Sequence, residues 1–192
     1  MRTELRPAIL MTVMLTVVTG LMYPLVVTGV ATLVFPWQAH GSLLTRNGTT
    51  IGSALLAQGF TDAGYFHPRP SAAGENGYDA TASGGSNLGP IDGKLVERVG
   101  NTAAELRGEN AGAPVPVDLV TTSGSGLDPH VTPAGADFQV PRVAAARHAP
   151  EDAIRDLMRT HTEGRQLGFL GEPRVNVLQL NVALDQRYPL KS

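Results

Sequence analysis

The sequence predicts a single transmembrane helix followed by one α+β extracytoplasmic domain, and three observations carry that expectation. Between Pro7 and Phe35 there is no charged residue. After Gln38, short apolar runs around turn signals alternate with stretches of helical spacing. The roughly 150 residues beyond the span are enough for one hydrophobic core and too few for two. The expected boundaries are 1–7 for a cytoplasmic N-terminus, 8–36 for the membrane helix and 37–192 for the domain.

The uncharged stretch, as a helix, covers roughly 43 Å, more than the ~30 Å hydrocarbon core of a bilayer. Its Ile, Leu, Val and Phe side chains together favour insertion by about 4 to 8 kcal/mol. A cleaved secretory signal has a shorter apolar region and a small-residue cleavage site, whereas this stretch ends Val34-Phe35-Pro36-Trp37-Gln38. Retention as an anchor is therefore expected. Arg2, Arg6 and the amino group outnumber Glu4 on one flank, and no Lys or Arg precedes Arg46 on the other. The positive flank stays in the cytoplasm and the domain crosses. Within the span, Gly20 and Gly29, each behind a Thr, allow close approach of a neighbouring helix, to which the hydroxyls can bond. Pro24 between them should kink the helix, and Trp37 suits the interface.

From Ser42 to Ala57, two apolar runs flank Asn47-Gly48, a pair suited to a tight hairpin turn. Asn47-Gly48-Thr49 also matches a glycosylation acceptor, although the turn accounts for the same residues. From Gly59 to Pro90 no period survives, and Tyr65, Phe66 and Tyr78 indicate a packed rather than a disordered loop. Pro90 opens a helix with Ile91, Leu95, Val99, Ala103 and Leu106 on one face and Gly108 as its stop. After an irregular run from Pro114 to His130, Thr132-Pro133 starts a helix that Pro141 should kink or break near Asp137. Pro150 begins another, with Glu151 and Asp152 in its first turn and Ile154, Leu157 and Met158 inward. Alternation at Leu178, Leu180, Val182 and Leu184 suits a strand, with a helix from Val177 as the alternative.

A net charge of −2 gives no basic field for nucleic acid. Without cysteine there are no disulfides, thiolate metal sites or thiol nucleophiles. The five histidines form no H-x-x-x-H pair, so no metal site is expected. Ser83-Gly84-Gly85-Ser86 and Ser123-Gly124-Ser125-Gly126 lack the Lys-Ser/Thr that a phosphate-cradling loop requires, and turns explain them better. Ser123 or Ser125 with Asp128 and His130 has the residue types of a hydrolytic triad. All lie within eight residues and no G-x-S-x-G elbow is present. A membrane-anchored extracytoplasmic hydrolase is thus the alternative reading.

The segments FHPRPSA (66–72), SGGSNLGP (83–90), PVPVDLVTTSGSGLDPHVTPAGADFQVPRVAAAR (114–147) and GRQLGFLGEPRVNVLQLNVALD (164–185) follow one span containing TGLMYPLVVTG. In that order they closely resemble the C subunit of the Kdp potassium-transporting ATPase (KdpC). Pro141 departs from the helix former that the family pattern allows there. The resemblance implies a non-catalytic subunit of a high-affinity, ATP-driven potassium uptake pump in the plasma (inner) membrane. Its implied partners are a channel-like potassium-binding subunit, a P-type ATPase subunit and a small single-span peptide. It further implies a role in assembly and, as proposed for the family, as a catalytic chaperone raising the ATPase subunit's nucleotide affinity. The chain would hold no cofactor of its own, meet ATP only through the complex, and leave potassium to its partners. The sequence itself contains neither an Asp-Lys-Thr-Gly-Thr phosphorylation motif nor a Thr-Val-Gly-Tyr-Gly filter.

Candidate partner contacts are Arg69, Pro70, Ser71, Ser86, Asn87, Ser125, Asp128, Pro129, His130, Gln139 and Arg142. They are polar or rigid groups in runs that a small core does not require. The competing reading makes several internal, with Asp128 and Asn87 capping backbone and Arg142 paired to a carboxylate.

Overall fold

A computed structural model describes residues 2–110 and 112–190. One compact unit ends at Ser53 and a second begins at Ala54.

In the first unit, helix α1 (Arg2–Val17) passes through a wide π turn (Val18–Met22) into α2 (Tyr23–Val34). Glu4–Val34, 31 residues, is long and apolar enough to cross a bilayer. Pro24 cannot donate to the carbonyl one turn back, and the disturbance expected there takes the form of the π turn, in which Tyr23 N–H donates to Val18 O. Thr19 Oγ1 donates to Leu15 O of its own helix at 2.7 Å. That hydroxyl is satisfied without a neighbouring helix. Beyond Gly29 there is open space for 4 Å. The helix stops at Val34 because Phe35 precedes Pro36 and takes a non-helical φ of −130°. After the short α3 (Pro36–Ala39), the expected hairpin forms from β1 (Leu43–Arg46) and β2 (Thr49–Ser53). Asn47 and Gly48 at its tip both have positive φ, 52° and 79°.

Among its described residues, the second unit is built on four α-helices and a small antiparallel sheet. Helix α4 (Gly93–Glu109) begins behind Asp92, whose side chain accepts from Lys94 N–H, rather than at Pro90. Ile91 therefore lies outside it and is 95 % exposed, and no residue of α4 is fully buried. A 3₁₀ turn (Val117–Leu119) precedes β3 (His130–Val131). Helix α5 (Pro133–Arg147) is capped by Thr132 Oγ1, which accepts from Gly135 N–H at 2.9 Å. It runs through Pro141 without the expected break. Proline inside a helix costs about 3 kcal/mol, and burial of Phe138, Val140 and Val143 around it, at about 1.5–3 kcal/mol each, outweighs that.

Helix α6 (Glu151–Thr160) buries Ile154, Leu157 and Met158 as expected. Then β4 (Thr162–Glu163) and β5 (Arg174–Asn176) complete a sheet ordered β3-β5-β4. The alternation after Val177 is helical: α7 (Val177–Arg187), not a strand. Asn176 accepts from Gln179 N–H, and Val177, Leu180, Asn181 and Leu184 recur at helical spacing on the buried face.

Residues 54–92 form neither helix nor strand, yet Phe66 is fully buried. The backbone groups of such a segment need partners away from water, and side chains of α5 and α7 supply them. Asn181 Oδ1 accepts from Phe66 N–H and its Nδ2 donates to Phe66 O, both at 2.9 Å. Gln139 does the same for His67, at 2.8 and 3.1 Å. Arg142 donates to Ala63 O and Tyr65 O. Arg147, its side chain 0 % exposed, donates to Gly64 O, Tyr188 O and Asp185 Oδ1 and stacks over Tyr65.

Asn181→Leu leaves both backbone groups of Phe66 buried and unpaired, an expected loss of about 2–5 kcal/mol. Arg147→Met removes the cation paired with Asp185 and the donor to the Gly64 and Tyr188 carbonyls, for about 3–5 kcal/mol. Ser86→Ala should stay within about 0.5 kcal/mol of the parent. Urea unfolding of the full chain in mild detergent checks all three.

Candidate functional site

Three irregular segments that the sequence separates meet on one surface. Arg69 donates to Thr121 Oγ1 at 3.4 Å and Thr122 O at 3.2 Å, and pairs with Asp128 at 3.5 Å. Ser71 Oγ donates to Gly126 O at 2.6 Å and accepts from Tyr78 N–H at 2.7 Å. From the second segment, Gly84 N–H and Ser83 Oγ both donate to Ser125 O. Gly126 makes this convergence feasible. Its φ is +67°, and an added Cβ would lie 2.6 Å from Gly84 O and 2.8 Å from Ala73 N.

Asp128 and His130 form the centre of the third segment. Asp128 Oδ1 accepts from His130 N–H at 3.0 Å and sits 3.3 Å from His130 Nδ1. These hydrogen bonds from His130, with Arg69 nearby, hold the Asp128 carboxyl below its ordinary range against the opposing effect of burial. The capping role weighed for Asp128 is therefore present. Pro129 is buried and its carbonyl accepts from Val177 N–H. Beside them lies a cavity of about 330 Å³, lined by Arg69, Asp118, Asp128, His130, Glu172 and Arg174 among others.

Asp118 had no sequence signal beyond its place in a Pro-rich run. Its carboxylate accepts from Thr132 N–H at 2.7 Å at the positive end of α5. An added Cβ on Gly135 would come within 2.6 Å of it.

The candidate contacts separate by where their polar atoms go. Gln139 is buried and engaged with His67, Gly135 and Arg142. Arg142 pairs with Glu109 at 3.0 Å, the carboxylate partner weighed for it, and so ties α5 to α4. Both line a different cavity from Asp128, together with His67, Pro70 and Tyr78. Burial and the charge of Arg142 push the His67 imidazole below its usual pKa. Pro70 and Ser86 are half-buried, whereas Asn87 and Ser125 are exposed. Asn87 has a φ of 53°, a conformation that asparagine tolerates well. Arg69, Ser71, Ser86, Asn87, Ser125, Asp128 and His130 thus belong to the three-segment surface or its rim.

A serine relay is not assembled there. Ser123 Oγ has Ser125 Oγ as its partner at 3.5 Å, Ser125 Oγ accepts from Leu127 N–H, and His130 is engaged with Asp128. A phosphate cradle fits no better, because the Gly84, Gly126 and Leu127 N–H groups already donate within the domain.

One feature of this region escaped sequence reasoning. Between β4 and β5 the chain continues as a hairpin closed by mutual Gln166–Leu170 hydrogen bonds. Ion pairs Arg165–Glu172 and Arg174–Glu163, each 2.7 Å, brace it. At its tip Leu167 is 82 %, Phe169 69 % and Leu170 48 % exposed. The signal available was the apolar triplet between Gly164 and Gly171, which reads as core until the turn is known.

Comparison with known proteins gives a consistent result. A family model described as KdpC, the c chain of K+-transporting ATPase, matches residues 5–186. The KdpC subunit of the potassium-transporting ATPase from Koribacter versatilis is 56 % identical over 190 residues, 99 % of this chain and 98 % of that one. The Acidobacterium capsulatum subunit is 57 % identical over 186 residues, covering 96 % and 99 %, and that of Caulobacter vibrioides 55 % over 190, covering 98 % and 96 %.

The Asp128 interactions predict an acid-sensitive contribution to stability. Because folding lowers this carboxyl's pKa, its stabilisation is complete above the unfolded value of about 4 and is lost as pH falls through the folded value. Asp128→Asn should melt about 2–4 °C lower than the parent at pH 6, with the gap closing below about pH 4. Melting curves of the full chain in detergent between those conditions read this directly.

Proposed function

Because the chain belongs to the KdpC family, the C chain of potassium-transporting ATPases, and is thereby a component of the Kdp pump, we propose the following role within it. The chain is a non-catalytic subunit that holds the complex together. Its span anchors it, and its domain docks on the outer side of the channel-like potassium-binding subunit. The P-type ATPase subunit and the small single-span peptide complete the assembly.

The observation that carries this reading is the three-segment surface. A domain of this size gains little core from residues 69–73, 83–87 and 121–130, yet spends side-chain and backbone hydrogen bonds to fix them against each other. Rigid irregular segments that expose Asn87 and Ser125 and contribute Arg69, Asp128 and His130 to a cavity suit recognition by a partner. The flanking charges of the span, with Arg2 and Arg6 before it, favour a cytoplasmic N-terminus and an extracytoplasmic domain.

On that topology the domain meets little ATP. Potassium likewise belongs to the partner subunits, and this chain needs no cofactor. A catalytic-chaperone effect on nucleotide affinity would then pass through the membrane helices, where Gly20, the π turn before Pro24 and Gly29 offer open faces for close packing.

Ser125→Trp places a bulky group on the exposed part of this surface. Recovery of the larger subunits with the tagged variant should fall several-fold while the melting temperature of the variant alone stays within a few degrees. The parent chain, purified from its native membrane, should bring those subunits with it. Parent chain recovered alone would count against the proposal.

A further inference from the structure

The hairpin between β4 and β5 carries a second feature that its own domain does not use. Three apolar residues, Leu167, Phe169 and Leu170 around Gly168, project at the tip, the first two with most of their surface open and Leu170 with about half. Leu167 also sits at a φ of 53°, a left-handed conformation that leucine rarely adopts. Apolar exposure and backbone strain coincide in a turn held by four backbone hydrogen bonds and two ion pairs. Strain of this kind persists where surrounding structure enforces it and marks positions with a use.

The hairpin is continuous with the candidate docking surface. Glu172, Pro173 and Arg174, on its return arm, line the cavity that also contains Arg69, Asp128 and His130. A partner seated over that cavity reaches the base of the hairpin. The charges bracketing the tip are balanced, Arg165 against Glu172 and Arg174 against Glu163. No cationic collar favours an anionic lipid surface, and a protein surface with matched polar rim and apolar pocket fits better.

We propose that the Leu167–Leu170 tip is an anchor that inserts into an apolar pocket on an extramembrane segment of the channel-like potassium-binding subunit, with Phe169 as the principal contact. This rests on the docking role proposed above and adds a place and a chemistry to it. Aromatic side chains that enter a pocket dominate the energetics of such contacts.

The absence of cysteine from the chain supplies the test. Phe169→Cys introduces a single thiol, and Asp156→Cys, at an exposed position of α6, serves as the reference. A membrane-impermeant maleimide is applied to the intact pump and to this subunit alone, each in lipid nanodiscs and in detergent. Relative to the reference, the tip thiol should label about tenfold more slowly in the pump than in the subunit alone. Equal rates in the two overturn the proposal while leaving the docking role standing, since the pump was recovered. Slow labelling already in the isolated subunit assigns the tip to lipid or to a second copy, and also overturns it. Phe169→Asp provides a second reading: recovery of the larger subunits should drop about tenfold with the variant's own melting temperature unchanged. Full recovery with that variant contradicts the anchor.

Discussion

The backbone of residues 63–67 has to be satisfied without a strand partner, and the architecture of the second unit follows from how this is done. Asn181 and Gln139 each offer one acceptor and one donor to a single residue, Phe66 and His67, as a neighbouring strand would. Arg142 and Arg147 take the carbonyls of Ala63, Gly64 and Tyr65. Because these four side chains come from α5 and α7, the loop, the two helices and the buried ring of Phe66 form one cooperative unit. Leaving any of the buried groups unpaired costs more than the bond itself contributes, so this arrangement selects one position for the loop.

That fixed position is what gives a defined surface to irregular chain. His67 leads directly into Pro68-Arg69-Pro70-Ser71, and Arg69 and Ser71 in turn grip residues 121–126. Gly126 lets the 83–87 segment close over them at a distance no side chain would allow. A partner meeting this surface pays little ordering entropy. The same polar groups that resemble catalytic or phosphate-binding residues in the sequence are here committed to holding segments together.

Much of this was legible beforehand, and the exceptions share a cause. Local signals that act within a few residues held: the Asn47-Gly48 turn, the Thr132 cap, the acidic first turn and inward face of α6, and the uncharged span. Elements decided by tertiary burial did not follow local rules. Pro141 sits within α5 because both flanks of the helix are buried, and Val177–Arg187 is a helix because Asn176 caps it and Asn181 must face Phe66. Ile91 reads as core by spacing but precedes the helix start set by Asp92. Among the candidate contacts, Arg69, Ser71, Ser125, Asp128 and His130 do come together. A carboxylate partner for Arg142 was anticipated, but its identity as Glu109, and that of His67 as the backbone partner of Gln139, were hidden because each lies more than 30 residues away in sequence. The Leu167–Leu170 tip was missed because apolar composition alone cannot distinguish a buried run from an exposed turn.

Family membership and the charge asymmetry around the span bear on one issue together, the side of the membrane on which the domain works. A subunit that stabilises the pump from outside and one that touches nucleotide directly require opposite placements of residues 54–192. Protease added to spheroplasts with intact membranes, with the complex assembled, addresses this most directly. The account predicts that the domain is cleaved from outside while a cytoplasmic marker on the ATPase subunit is protected. A domain that is cut only after the membrane is opened would contradict it.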